Sequence, residues 1–239
     1  MTLSFIDHLE TALRETPPKQ KGQRTRERLK IATAKVLEQR GYHAMRVSDI
    51  TASAEVAEGS FYMYFKDKTD ASITVLTEFL HSFLNLEVKT AGHRSAFDAI
   101  RATNRRWLSV CRANAGLMRC ILQVGDEEPA FARLSQHANR TWYERVVQGL
   151  SRRRGGADAE PTFLAAYLLG GMMDELVRRL IIYPDPELHQ LAAAMDADDD
   201  AMADAAAVIW LRVFYPEERP PEGLPTAAAS LAAWISPPA

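Results

Sequence analysis

Apolar residues recur along most of this chain at spacings of three and four, the period of one helix face, and the pattern predicts an all-α protein. Leu29, Thr33, Val36 and Leu37 share one face of a helix predicted over Thr25–Arg40, with Gly41 as its left-handed stop. Ile50 and Ala54 then lie four apart in a short helix that Ser48 is placed to cap. Glu55-Val56-Ala57 leaves room only for a tight turn before a second short helix over Glu58–Tyr64, which Phe61 and Phe65 can anchor. Asp67, with Asp70 three residues on, opens a long helix over about Lys68–Lys89 with Ile73, Leu76, Leu80, Phe83 and Leu84 on its apolar face. Ala91-Gly92-His93 breaks the chain, and further helices follow over 94–112, 114–124 and 129–154, with a loop at Gly125–Pro129. The last of these ends in Arg152-Arg153-Arg154, cations at a helix C-terminus, before the stop Gly155-Gly156. Pro161–Tyr183 and Ala201–Tyr215 are the two most apolar long helices.

Composition narrows the class. With 239 residues, 47% apolar and 25% charged, the chain is sized for a small unit plus one larger domain. No apolar run approaches the roughly 20 residues of a membrane span, and no cleavable signal pattern opens the chain, so a cytoplasmic location without membrane contact is expected. Cys111 and Cys120 have neither metal-type nor redox-type spacing. The net charge of -2 argues against indiscriminate coating of nucleic acid. The charge is uneven, however: Lys19, Lys21, Arg24, Arg26, Arg28, Lys30, Lys35, Arg40 and Arg46 crowd the segment before Val47, opposed there by Glu27 and Glu38. A solvated helix face explains such a cluster as well as a phosphate-contacting face does. Two short helices joined by a tight turn tip the balance, because that unit places a recognition helix in the major groove.

The segment VSDITASAEVAEGSFYMYFKDK carries a more specific signal. Its GSFYMYFKDK resembles the run that closes the DNA-binding domain of TetR-like transcriptional regulators, and Thr25-Arg26 with Arg40-Gly41-Tyr42 matches that family's first helix and its terminating glycine. Val47, Ile50, Ala54, Val56, Gly59, Tyr62 and Phe65 fall at the family's spacing over roughly Gly22–Leu76. The departures are Glu55 where the family usually has glycine, Ala57 where it has Ser or Thr, and an acid at Glu58. The resemblance implies an N-terminal three-helix helix-turn-helix DNA-binding domain plus a larger helical ligand-binding and dimerisation domain. The expected divisions are an extension over 1–21, the DNA-binding domain over 22–67, the body over 68–215 and a Pro/Ala-rich tail over 216–239.

Groove geometry together with the resemblance assigns DNA contact to Thr25, Arg26, Ser48, Glu58, Gly59, Ser60, Tyr62, Tyr64 and Lys68. Gly59 and Ser60 open the recognition helix, while Thr25, Ser48, Tyr62 and Lys68 have reach for phosphate. Glu58 can accept from a cytosine amine or stay outside the groove and repel phosphate. Leu3–Leu13 is weakly amphipathic and stops before Pro17-Pro18, so it reads as a frayed terminus, or else as an arm toward the minor groove. In the body, Trp107, Cys111, Met118, Leu122, Trp142, Tyr143, Phe163 and Met173 are candidates for an effector pocket or simply for core. No strongly placed buried charge is evident among them, which points to a small apolar effector. In TetR-like proteins the last two long helices meet their copies in a four-helix bundle, which implies a homodimer and a near-palindromic double-stranded operator. Close helix approach at a crossing would explain Gly170-Gly171 in mid-helix. The tail holds a possible short helix over Thr226–Ile235. Six scattered histidines, no phosphate-cradling loop and a set of aspartates, Asp196 and Asp198–Asp200, suited to a helix start leave no catalytic, metal or cofactor site to name. The resemblance thus implies a sequence-specific DNA-binding transcriptional regulator, a repressor released by that small apolar ligand; the competing reading is an all-helical enzyme or lipid carrier whose N-terminal similarity no longer serves DNA.

Overall fold

The computed structural model describes residues 2–84, 95–154 and 159–235, and every regular element among them is helical. The far end of the helix expected to reach Lys89, the break at Ala91-Gly92-His93 and the stop at Gly155-Gly156 lie outside the described residues. The chain divides into two compact units, one of Met1–Leu86 with Ala113–Asn139 and one of Glu87–Arg112 with Arg140–Ala239.

The first unit is built on α2 (Lys21–Arg40), whose Leu29, Thr33 and Leu37 are fully buried as their spacing predicts. Gly41 ends it at φ 78°, a conformation that costs a residue with a Cβ but not glycine. Next come α3 (Val47–Ala54) and α4 (Glu58–Phe61), the latter one turn long and shorter than expected because the chain turns again at Tyr62–Tyr64 to bury Phe65. The cap of α3 is not Ser48. Asp49 reaches back and accepts from the Arg46 backbone N–H at 3.0 Å, leaving Ser48 exposed. α5 (Lys68–Glu78) starts as predicted: the Asp67 carboxylate accepts from the Asp70 N–H at 2.8 Å. It then widens into a π-helical turn, Phe79–Leu84.

The N-terminus is not frayed. α1 (Phe5–Glu15) packs on α2, with Phe5 0% exposed and its ring 5.1 Å from that of Phe79. Phe5 and Leu9, four apart, form the buried stripe, and Ser4 caps the helix by accepting from the Asp7 N–H. The Asn114 amide pins the entry, accepting from the Phe5 N–H and donating to the Leu3 carbonyl, both at 2.8 Å.

The same unit takes in α7 (Ala115–Glu127), which the sequence reading gave to the body and ended at Val124. Glu38 of α2 accepts from the Gly116 and Leu117 N–H groups at 2.9 and 2.8 Å, satisfying two of the free donors at the α7 N-terminus. Gly116 is required there, because a Cβ would lie 2.1 Å from the Glu38 carbonyl oxygen. Further along, the Gln123 side chain accepts from the Tyr42 N–H at 3.1 Å and the Cys120 thiol donates to the Leu37 carbonyl at 3.5 Å.

The second unit contains α6 (Ala96–Ala113) up to Arg112, α8 (Pro129–Arg154) from Arg140 onward and α9 (Ala159–Val177), the last continuing as a π-helical turn, Arg178–Ile182. α10 (Pro186–Ala194), which the periodicity did not predict, is capped by Asp185 with Pro186 in its first turn. α11 (Asp199–Phe214) is capped by Asp198, so the aspartates open a helix as expected. Arg105 pairs bidentately with Asp204, which is 0% exposed, and Arg112 with Asp199, fixing α6 against α11. The tail forms α12 (Thr226–Trp234), whose Ala227 and Ala228 are buried. Ala228 joins Phe97 of α6 and Val208 and Leu211 of α11 in one apolar cluster, so this helix is part of the unit's core.

Candidate nucleic-acid interface and effector region

The turn between α3 and α4 hangs on Glu55, which adopts the left-handed conformation at φ 53°, ψ 50°. This is the position where the resemblance expects glycine, and the geometry explains why. Arg28 steadies the turn by donating to the Ala54 carbonyl at 2.5 Å. Its ion pair with the highly exposed Glu55 is 3.9 Å long and contributes little. Glu55→Gly is therefore expected to raise stability by about 0.5–1 kcal/mol, measured as a higher midpoint in urea with unchanged slope.

Beyond the turn, Phe61 and Phe65 are buried while Glu58, Gly59, Tyr62, Met63 and Lys66 point outward. Ser60 and Tyr64 are half-buried, the Tyr64 phenol lying beside Gly22 of α2. Thr25 donates to the Lys21 carbonyl at 3.2 Å, and the Arg26 guanidinium lies over the Phe65 ring at 5.4 Å, which fixes its base while leaving it half-exposed. Of the cations expected to form one basic face, Lys30 is buried against Glu27 and Glu78, Lys35 pairs with Glu10 and Arg40 with Asp49. Arg46 and Lys66, which the sequence reading did not assign to DNA, are exposed and carry no ion pair among the described residues.

Lys68 requires a correction. Expected to reach phosphate, its ammonium instead donates to the carbonyls of Tyr42, His43 and Met45 at 3.2, 3.4 and 3.2 Å and lies over the Tyr42 ring at 5.1 Å. Its three N–H donors are thereby directed at the loop between α2 and α3. Lys68→Ala is expected to cost about 2 kcal/mol of stability, in the range of hydrogen bonds from a charged donor. For the protein that remains folded, the salt slope of log DNA affinity should be unchanged, whereas Lys66→Ala should reduce it by about one unit. Thermal unfolding and binding titrations over a range of salt distinguish the two roles.

In the second unit, Trp142 and Tyr143 of α8, Phe163 of α9 and two residues the sequence reading did not assign, Tyr167 and Trp210, form an aromatic chain. Ring centroids are 5.3 Å apart for Trp142–Tyr143, 4.3 Å for Tyr143–Tyr167, 5.4 Å for Phe163–Tyr167 and 6.2 Å for Trp142–Trp210. Gly170 makes the α8–α9 crossing possible: a Cβ there would lie 2.2 Å from the Tyr143 ring. Cys111 and Met173 are buried and Trp107 is half-buried. Met118 and Leu122 lie on α7, which belongs to the other unit, and Leu122 is exposed.

Two polar groups break the apolar surroundings. The buried Trp210 indole N–H has no acceptor among the described residues. Asp174 of α9 keeps an open side to solvent, yet partial burial pushes its carboxyl up to about 6. Burial, and secondarily the Asp174 charge, raises the Cys111 thiol and pushes the Tyr143 phenol up to about 12. Asp174 thus shares a region with two candidate pocket residues, Cys111 and Tyr143, while remaining exposed itself. Because its folded-state pKa lies above the unfolded one, ionising Asp174 costs stability as pH rises through about 6. Asp174→Asn is expected to flatten the loss of thermal stability between pH 5 and pH 7, which unfolding scans at the two pH values would measure.

Together these elements define a helix-turn-helix protein with a helical body. The family model of bacterial regulatory proteins of the tetR family matches residues 31–70. The fatty acid metabolism regulator protein of Bacillus subtilis (strain 168) is 40% identical over 53 residues, 22% of this chain and 27% of that protein. The chain thus matches about a quarter of the length of this curated relative. A putative TetR-family regulator from Mesorhizobium loti superposes with a TM-score of 0.62 at 18% identity, over 82% of this chain and 98% of that one. The fatty acid degradation regulator FadR from Bacillus halodurans gives 0.59 at 18% identity, over 84% and 100%. FadR from Bacillus subtilis in complex with stearoyl-CoA gives 0.57 at 19% identity, over 80% and 98%. Residues 31–70 thus match the tetR-family model, and the chain has the fold of these TetR-family structures. No described helix is long and apolar enough to cross a membrane.

Proposed function

We propose that the protein is a homodimeric, sequence-specific transcriptional repressor that releases double-stranded DNA when its body takes up an apolar, acyl-type ligand. The observation that carries this reading is the family match over residues 31–70, which falls on a segment whose outward side chains are free to enter a groove. In this proposal Thr25, Arg26, Ser48, Glu58, Gly59, Ser60, Tyr62 and Tyr64 face DNA, joined by Arg46 and Lys66, and Lys68 shapes the loop behind them. Two heads related by a two-fold axis call for a near-palindromic operator.

The acyl class is supported by the aromatic chain of α8, α9 and α11 and by relatives whose names concern fatty acids, one of them solved with stearoyl-CoA. The Trp210 N–H, which has no acceptor among the described residues, and Asp174 when protonated, offer donors to a ligand carbonyl. Moving from mostly bound to mostly free DNA takes about 5.5 kcal/mol of differential ligand affinity. Burying about 200 Å² of acyl surface only in the released state supplies that, at about 25 cal/mol per Å². The test is a titration of a DNA–protein complex with saturated acyl-CoAs of increasing chain length, following anisotropy and tryptophan fluorescence. Release that strengthens with chain length, and is abolished by Trp142→Ala with DNA affinity intact, is the expected result. If no chain length changes either signal, the ligand reading is wrong.

A further inference from the structure

Between the buried Phe61 and Phe65, the chain turns at Tyr62–Tyr64 and directs Met63 outward, 77% exposed. Tyr62 beside it is also exposed, as are Lys66 three residues on and Arg46 at the start of α3. Single exposed apolar residues are ordinary. This one stands within the TetR-family match, on its recognition segment and three residues before Lys66, which like Arg46 carries no ion pair among the described residues. Charge complementarity to phosphate commits the surface to DNA.

We propose that Met63 is a specificity-determining residue that selects thymine by packing on its 5-methyl group. The inference rests on the DNA-reading function proposed above. Of the four bases, only thymine shows an apolar group in the major groove; the other edges show donors and acceptors. A thioether is a weak acceptor and donates nothing, so Met63 against adenine, guanine or cytosine leaves a desolvated polar edge unpaired. Against thymine it covers a methyl at no such cost. Buried on both sides, Phe61 and Phe65 fix the turn, so the direction of Met63 is set before DNA arrives. Its unbranched side chain adapts to the methyl's position.

The test begins by selecting binding sites for the full-length wild-type protein from a random duplex pool. Each thymine of the enriched half-site is then replaced in turn by uracil, which removes only the methyl group. Binding is measured for the wild type, Met63→Ala and Met63→Leu. One thymine is expected to show about a fourfold loss for the wild type, matching about 0.8 kcal/mol for one buried methyl-sized group. The loss should persist in Met63→Leu and disappear in Met63→Ala. Uracil tolerated at every position, or an equal loss in Met63→Ala, overturns the role of Met63 while leaving DNA reading in place. A pool in which no sequence is enriched overturns DNA reading itself, and this inference with it.

Discussion

Leu168→Glu is expected to convert a dimer into a monomer and to abolish tight operator binding. On α9, Leu164 and Leu168 are 62% and 69% exposed, Gly171 has none of the described residues within 4 Å of where a Cβ would stand, and all three lie along one face at the i, i+4, i+7 spacing. The burial along α11 lies on the opposite account: Ala203, Ala207, Val208 and Leu211 are enclosed by their own chain, partly by α12. Its half-exposed face is Met202, Ala205 and Ile209, with Val213 exposed beyond them. Under the proposed two-fold assembly, the α9 stripe and this face meet their copies. A carboxylate at position 168 would then be desolvated close to its own copy, with no cation supplied. A loss of at least about 3 kcal/mol, roughly a hundredfold or more in dimer affinity, follows. Sedimentation at micromolar concentration would measure it. A variant that remains dimeric would place the interface elsewhere.

The second large effect is expected at Gly116. Substitution by valine puts two methyl groups and a Cβ where the backbone of Glu38 already stands, with the Cβ alone 2.1 Å from an oxygen and 2.6 Å from two carbons. Backbone cannot rotate aside as a side chain can, so α7 must separate from α2 and the two hydrogen bonds accepted by Glu38 go with it. Overpacking of this kind costs about 1–3 kcal/mol, and the lost cap adds about 1 kcal/mol. A fall of about 3 kcal/mol in unfolding free energy is expected. Gly171→Val, with open space around the Cβ, should by comparison leave the isolated chain's stability within about 1 kcal/mol. Chemical denaturation of the two variants side by side measures the contrast.

How far the sequence reached depended on whether a feature was local. The Asp67 cap, the buried pair Phe61 and Phe65, and the α2 stripe were legible because each is settled within one or two turns. Ser48 and Asp49 are adjacent residues that can both cap, and propensity alone could not say that Asp49 would reach back. α1 looked frayed because its anchors are Phe79 and Asn114, more than seventy residues away in the chain. Met118 and Leu122 were assigned to the body because a carboxylate on α2 capping α7 leaves no periodic mark. Asp185-Pro186, in contrast, was a readable start for α10: a capping acid followed by the residue suited to the first helical turn.

The candidate interface was legible in outline, through the spacing from Val47 to Lys68, and not in its charges. A lysine facing solvent and one folded back onto three carbonyls look the same in sequence, so Lys68 was assigned to phosphate. Arg46 and Lys66 could be recognised only once the partners of Lys30, Lys35 and Arg40 had been found. The raised pKa of Asp174 comes from side chains that folding brings beside it, which nothing in its neighbours along the chain announces.

The central claim is sequence-specific reading of DNA by the head. Its most direct measurement is the affinity of the full-length protein for its selected site and for a scrambled duplex, each over a range of salt. Tighter binding to the selected site by at least about a thousandfold at physiological salt is expected. Binding to both duplexes should weaken linearly as log salt rises. Equal affinity for the two duplexes at every salt concentration, or no binding to either, would contradict it.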